Sequence, residues 1–472
     1  MAAGAKTACR LVVRSAPVLR ISSAGNLVSR PEHDADVSGW LAGAVDPWMD
    51  KIAGVAPGRL VSLSLDLPRD LLDLDGWGRG DRLWLSPRQG VAFLGGGEVA
   101  GHGAMDAAQW RRDRSPWARL SDGAPAPLAF FTAPPAPQGG SIRLSLPEIL
   151  LRLDGGRQSI VLSLVRGETP VQAVAGRWMT RFAAMAAPAA AESGAGVEKA
   201  VHLPERDEWG RRVRAATSAI AAGRLAKVVL ARKLAVTLRR APGLDALARK
   251  LAQDCPGCHI VKLPHERGQA IAASPEILAA RRGQRLVSHA VAGTAPRGGG
   301  PEADRRAAQA LLASPKERRE HRLVVEAIAG AMDEICDEVG FASTPDLMRL
   351  NRLQHLWTPV HGRLREGHDL LDAVERLHPT PAVLGFPKSA AADWLRTAEP
   401  PRDGLYTGLA GWIDADGDGE AAVVLRCAFF NGREAHLWAG AGIMAESEVE
   451  AEWAETELKM STMLDLLQGS AS

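Results

Sequence analysis

The chain has 472 residues and carries 57 Lys and Arg against 55 Asp and Glu, a net charge of +2. Acids and bases are interspersed, and no basic stripe with interleaved aromatics points to nucleic acid. No apolar run approaches the ~18 residues of a membrane-spanning helix, and the length exceeds the ~250–300 residues at which single cores stop growing, so two domains or one large two-part fold is expected.

Before Glu32 the sequence holds Lys6, Arg10, Arg14, Arg20 and Arg30 and no acid. Residues 1–31 read as a tail outside the fold, although an organelle transit peptide has the same composition. Residues 32–182 read as a strand-rich subdomain. RLVSLSLDLP (59–68), DRLWLSP (81–87) and GVAFLGGG (90–97) alternate apolar runs with turns, as antiparallel strands do. Gly95, Gly96 and Gly97 lack the Lys-Ser/Thr of a phosphate loop and read as a tight turn. Residues 127–135 and 141–149 read as further strand and helix-entry segments, and SIVLSLV (159–165) as another strand.

Residues 183–204, rich in Ala, Gly and Pro, read as a linker, and 205–472 as a second region of different texture. Its helices are expected at 208–224, 243–253, 302–313, 315–339, 368–376 and 448–468. Its strands are expected at 227–238, 258–263, 269–273, 286–292, 356–364, 405–414, 420–430 and 434–441. Antiparallel strands with segregated helices give an α+β class. Asp414-Ala-Asp-Gly-Asp-Gly419 opens like a calcium loop, but Leu425 stands where the twelfth-position Glu is needed, so a hairpin turn is expected.

Cys9, Cys255, Cys258, Cys336 and Cys427 are an odd, sparse set, as in a reducing, cytoplasmic setting. Cys255-Pro-Gly-Cys258 has redox-motif spacing, but no thioredoxin-like context or second ligand pair accompanies it.

Two Glu-x-x-Glu pairs carry more chemistry. Glu317 and Glu320 lie in KERREHRLVVEAI, and Glu452 and Glu455 in EAEWAETELKM, both with helical apolar spacing. Each pair puts two carboxylates on one face. Two such faces together would suit Mg²⁺, which takes carboxylates, water and an anionic substrate.

The remaining motifs, in order, are KVVLAR (227–232), ASPEIL (273–278), SHAVAGT (288–294), KERREH (316–321), LQHLWTPVHG (353–362), LHPTPAVLG (377–385), GLYTG (404–408), VVLRCAFF (423–430), WAGAGI (438–443) and ETELKM (455–460). Together they resemble the chorismate-utilising enzymes, the family of isochorismate synthase, salicylate synthase and the large subunit of anthranilate synthase. The resemblance runs from about 205 to 468. It is closest to isochorismate synthases: Lys227 stands where water-using members carry a base, Ala292 where covalent amine-transferring members carry a Lys, and LHPTPAV has the isochorismate synthase form.

The resemblance implies two intertwined subdomains around a strand-rich core and an Mg²⁺-dependent isomerisation of chorismate to isochorismate. It implies Lys227 as base for water at C2, Glu276 as acid for the departing C4 hydroxyl, and Mg²⁺ on Glu320 and Glu455 with Glu317 and Glu452 nearby. Tyr406, Arg426, Gly440 and Gly442 would meet the second carboxylate, with Lys459 beside the metal. Gly293 and Thr294 would face the reacting hydroxyls. His355 occupies a substrate-facing family position, and the sequence leaves open whether it is catalytic or a core histidine. Ile277 departs from relatives that carry Arg after the Glu. A salicylate synthase, which goes on to eliminate pyruvate, is the alternative. No amidotransferase subunit, nucleic acid or membrane partner is expected, and the protein would be a monomer or homodimer. Isochorismate feeds menaquinone, catecholate siderophores and salicylate, and the sequence does not choose among them.

Overall fold

The computed structural model describes residues 37–469 apart from 69–78, 115, 122, 124, 136–139, 188–194 and 266–267. The expected tail at 1–31 and Cys9 lie outside the described residues.

KVVLARKLAVTL, rich in β-branched and aliphatic residues, forms the strand Lys227–Leu238. Its first half is wholly buried and its second half alternates, the mark of a strand covered on both faces at one end only. It sits near one edge of a sheet with thirteen strands among the described residues. The order runs Gly385–Phe386, Lys227–Leu238, Glu434–Ile443, Cys427–Asn431, Gly268–Ser274, His259–His265, Arg82–Ser86, Val91–Gly96, Ile149–Asp154, Arg157–Val165, Leu60–Asp66, Ala118–Ser121, and the thirteenth strand, Val197–Leu203, pairs with Lys227–Leu238 off this path. A second sheet has nine strands, among them Arg285–Pro296, Leu353–Leu364, Ile277–Arg282, Gly419–Val423, Leu409–Asp414 and Leu128–Ala133.

Both sheets draw on both ends of the chain. His259–His265 pairs with Arg82–Ser86, and Leu409–Asp414 with Leu128–Ala133. The fold is α+β with intertwined parts, as expected. Trp84, Phe93 and Trp438 of the large sheet and Phe130 and Trp412 of the small one share a buried cluster between the sheets, with Phe93 and Trp412 edge-to-face at 4.8 Å.

The two helices bearing the carboxylate pairs cover different sheets. Pro315–Asp333 starts with Ser314 as N-cap, its side chain accepting from the Glu317 N–H, and Pro315 in the first turn, both helix-start signals. It buries Glu320, His321, Val324, Val325, Ile328 and Met332 and packs on Arg285–Pro296. Val449–Gln468 packs on Glu434–Ile443 and stops at Gly469, which takes the left-handed conformation at φ 76°.

Several elements differ from the sequence expectation. The helix expected over 315–339 ends at Asp333, and Cys336–Phe341 is an edge strand on Leu353–Leu364. Its register shifts between Asp337 and Gly340, around Glu338 at φ 57°. Helices Val171–Ala186 and Lys388–Ala398 were not anticipated. Ordered structure covers both ends of the expected linker, because Ala186 ends a helix and Val197–Leu203 is a strand. That strand is largely exposed and carries Glu198 and Lys199, charges of the kind that protect sheet edges, so its signal in the sequence is weak. Gly95 and Gly96 belong to a strand rather than a turn, and only Gly97 has positive φ.

The expected strand 420–430 is two strands in different sheets, Gly419–Val423 and Cys427–Asn431. Arg426 sits in the crossing at φ 48°. The expected 405–414 strand begins only at Leu409, after a turn with Thr407 at φ 63°. The hairpin at Asp414–Gly419 is as expected: the Asp414 Oδ1 accepts from the Asp416 and Asp418 N–H groups at 3.0 and 2.9 Å.

Candidate active site

Two crossings between the sheets lie side by side. One passes from Gly268–Ser274 to Ile277–Arg282 through Pro275 and Glu276, the other from Gly419–Val423 to Cys427–Asn431 through Arg426. They are stitched together by Val423 N–H to Glu276 O at 3.1 Å and Ala273 N–H to Arg426 O at 3.3 Å. The Ser274 hydroxyl donates to Val423 O at 2.6 Å and accepts from the Glu276 N–H at 3.2 Å. The Ser of ASPEIL thus fixes the acid that follows it. Glu276 and Arg426 are delivered into the space between the sheets because neither is part of a ladder.

A cleft opens there, enclosing with its mouth about 720 Å³ of empty space. Every residue expected at the site lines it except Glu317 and Glu452. Lys227, only 1% exposed, enters from the first residue of its strand. Its Nζ lies 2.7 Å from Glu320 Oε1. Lys459 Nζ donates to Glu455 Oε1 at 2.6 Å and to Gly440 O at 2.9 Å.

Glu276 is buried with its Oε1 unpartnered. Burial pushes its carboxyl up to about 8 against the opposing pull of Lys227 and Lys459, so it is a protonated acid at neutral pH. His355 is held neutral, its basicity lowered first by burial and then by Arg426 and Lys459. Arg426 Nη2 approaches His355 Nε2 at 2.7 Å. A guanidinium only donates, so Nε2 accepts and the imidazole proton sits on Nδ1, 3.2 Å from Thr294 Oγ1. That Nε2 is engaged with Arg426, so in this arrangement His355 orients Arg426 rather than taking a proton at that atom.

Tyr406 is buried, which raises its phenol well above the ordinary range, and it stacks on Trp438 at 5.4 Å. The glycines of WAGAGI are required by room. A Cβ on Gly440 would lie 2.6 Å from Tyr406 Oη, and one on Gly442 would lie 2.5 Å from Glu320 Oε1 and 2.9 Å from Lys227 Cε.

The remaining carboxylates stand just outside the cleft lining. Glu317 Oε2 accepts from the Thr294 N–H at 3.1 Å. Burial and the Glu320 charge push the Glu317 carboxyl up to about 7. Lys316 Nζ on one helix reaches Glu452 Oε1 on the other at 3.3 Å, and burial followed by Glu455 raises the Glu452 carboxyl. Among the described residues, no three His, Cys, Asp or Glu converge as a ready-made metal cage. The donor set nevertheless fits a hard divalent cation, because Mg²⁺ is commonly held by one or two carboxylates completed by water and an anionic substrate. Glu317 beside Glu320 and Glu452 beside Glu455 are like charges that raise each other's cost, and a cation there would offset it.

Sequence reasoning missed Trp438 as the stacking partner of Tyr406, although it opens WAGAGI. It also missed Arg402, whose guanidinium is buried against Glu399 at 2.7 Å and donates to Val383 O and Val229 O at 3.0 and 2.7 Å. Those bonds tie the GLYTG turn to the Lys227 strand. No motif flags them, since Arg402 lies in an unremarkable Pro-rich stretch.

A family model described as chorismate binding enzyme matches residues 132–468. The chain belongs to the chorismate-binding enzyme family. It is 39% identical over 275 residues to the salicylate biosynthesis isochorismate synthase of Pseudomonas aeruginosa, covering 58% of this chain and 57% of that one. It is 36% identical over 265 residues to the isochorismate synthase EntC of Escherichia coli, covering 56% and 68%. The chain thus spans little more than half the length of the Pseudomonas relative. The structure of MenF, the menaquinone-specific isochorismate synthase from Escherichia coli, matches with a TM-score of 0.77 at 24% identity, over 91% of this chain and 100% of that one, a likeness of fold. No described helix is long and apolar enough to cross a membrane.

Proposed function

We propose that this member of the chorismate-binding enzyme family converts chorismate to isochorismate. The observation that carries the reading is the pairing of a buried, protonated Glu276 with a buried Lys227 on the wall of one cleft. Moving a hydroxyl from C4 to C2 needs an acid for the leaving oxygen and a base for the incoming water, and these are the two groups at hand.

In this reading, Glu276 gives its proton to the C4 hydroxyl as that bond breaks, and the ring double bonds shift. Lys227 takes a proton from the water that forms the new bond at C2. Lys227 must be neutral to do so. Arg426, held by His355, and Tyr406, held by Trp438, receive one substrate carboxylate, with Lys459 adding positive charge. Gly440 and Gly442 leave the ring room to approach. Glu320 and Glu455 would hold Mg²⁺, with Glu317 and Glu452 beside them. When bound, that ion supplies the positive charge that lets a dianion lie against four carboxylates.

The test is incubation of purified protein with chorismate and Mg²⁺, with products separated by chromatography and identified by mass. Isochorismate, abolished by a chelator, is the expected result. Salicylate with pyruvate would favour the salicylate synthase reading, for which no residue of the cleft argues separately. No product would overturn the assignment.

A further inference from the structure

A second space lies end-on to the cleft, and the walls of the cleft continue into it. His355 lines the cleft, and Leu353 on the same strand lines the second space. Residues at i and i+2 share a strand face. Lys459 lines the cleft, and Thr462 on the same helix lines the second space, again on one face because they are i and i+3. Arg426 lines both. With its mouth the second space encloses about 410 Å³ of empty volume.

Its outer rim is cationic. Arg88 and Arg349 line it and are exposed. Arg349 and Arg352 flank the turn between Asp346–Arg349 and Leu353–Leu364, closed by Leu350 N–H to Leu353 O at 2.8 Å. Arg88 lies against Gly257, where a Cβ would stand 3.3 Å from its Cζ and Nη2. Among the described residues no Asp or Glu lines this space. Acids on neighbouring elements are held by cations: Asp465 by Arg352 at 2.5 Å, Asp304 by Arg297 at 2.5 and 2.7 Å, and Asp254 by Lys250 at 2.5 Å. Arg352 is thereby offset, and Arg88, Arg349 and Arg426 carry the positive field.

The two ends of the cleft differ in sign. Along helix Val449–Gln468 the order is Glu452, Glu455, Lys459, Thr462. At 1.5 Å per residue, Glu452 and Thr462 are about 15 Å apart along the axis. A dianion arriving at the carboxylate end meets Glu317, Glu320, Glu452 and Glu455, whereas at the Thr462 end it meets arginines. We propose that the second space is the vestibule through which the dianionic substrate reaches the cleft, with Arg88 and Arg349 steering it toward Arg426. Neither Arg88 nor Arg349 lines the cleft itself, so both act on the rate of arrival. A mouth lined by one sign of charge raises association rates by ~10–10³, an effect that falls steeply with salt. That the anion is chorismate rests on the proposed function. The route rests on the shared walls and the charge of the rim.

The experiment mixes the full chain with chorismate and Mg²⁺ in a stopped-flow instrument and follows tryptophan fluorescence, Trp438 on the cleft wall being the reporter. Arg88→Gln combined with Arg349→Gln should lower the association rate constant at least about threefold at low salt. The dissociation rate constant and kcat should stay, as for other rim charges. The difference should vanish near 1 M salt, where the screening length falls to ~3 Å. Asn351→Trp, which narrows the mouth without changing its charge, should slow association at every salt concentration. Arg59→Gln, beside strand Leu60–Asp66 toward the opposite edge of the large sheet, should change nothing. An association rate unmoved in the double variant, or unmoved in Asn351→Trp, overturns the route, as does a loss that sits wholly in dissociation. Isochorismate formed with those rates unmoved removes the vestibule and leaves the proposed function standing. No response to chorismate at any concentration removes both.

Discussion

The Lys227 ammonium and the Glu320 carboxylate are 2.7 Å apart, the lysine side chain 1% exposed and the glutamate 12%. A proposed base and a proposed metal ligand are therefore one ion pair. Truncating one member leaves the other buried and unpaired, a loss on the order of 3 kcal/mol. Lys227→Ala should lower turnover roughly 10²–10⁴-fold and lower the melting temperature, with chorismate affinity largely kept. Lys227→Met combined with Glu320→Gln should recover most of the stability and none of the turnover. Thermal melts alongside single-turnover assays check this, and retained turnover in Lys227→Ala would remove it from the mechanism.

Glu276 ties activity and stability to pH in opposite ways for the native residue and its amide. The folded carboxyl holds its proton up to about 8, against an ordinary 4.5. The unfolded chain therefore releases that proton first. The stabilising effect of keeping it is full below pH 4.5 and is lost as pH rises toward 8. Glu276→Gln cannot ionise, so its melting temperature should gain on the native protein between pH 5 and pH 8, by a free energy on the order of a few kcal/mol. It should be inactive throughout. The native enzyme should lose kcat/KM as pH rises through about 8. A gap in melting temperature that is flat with pH would show that Glu276 is not a buried neutral acid.

Glu317, at about 7, is half protonated at neutral pH. A cation favours the ionised form, so Mg²⁺ binding together with substrate should release protons, with affinity rising between pH 6 and pH 8. Calorimetry in buffers of different ionisation enthalpy measures the release. Glu317→Gln should reduce it, and Glu455→Gln should raise the Mg²⁺ requirement sharply. Proton release unchanged in Glu317→Gln would move the titrating group elsewhere.

The membership of the cleft was legible in the sequence through the motifs that carry the family resemblance. Lys227, Glu276, Tyr406, Arg426 and the glycines of WAGAGI all line one cavity. What joins them was not legible. VVLRCAFF reads as one apolar strand, and only its change of partner sheet shows that Arg426 sits in a gap. Lys227–Glu320, Arg402–Glu399 and Arg426–His355 are contacts between distant segments, which periodicity cannot report. The Cys336–Phe341 strand was hidden because it follows a long helical pattern without a Gly or Pro stop.

The two glycines of the cleft should respond differently to alanine. At Gly442 the Cβ meets side-chain ends, Glu320 Oε1 and Lys227 Cε. Those atoms can shift, so Gly442→Ala should fold with a destabilisation of at most ~1–3 kcal/mol and lose turnover by parting the ion pair. At Gly440 the Cβ also meets Leu230 O at 2.8 Å, which is backbone. Gly440→Ala should therefore melt lower than Gly442→Ala. The reverse order of melting temperatures would contradict the assigned contacts.

The central claim is that solvent supplies the hydroxyl that ends at C2. Chorismate turned over in H₂¹⁸O with Mg²⁺ tests it most directly, with isochorismate isolated early and its oxygens located by mass fragmentation. The account predicts one ¹⁸O at C2 and none retained from C4. Isochorismate without label would mean that the C4 hydroxyl migrates within the substrate, and the roles of Lys227 and Glu276 as base and acid for water would be wrong.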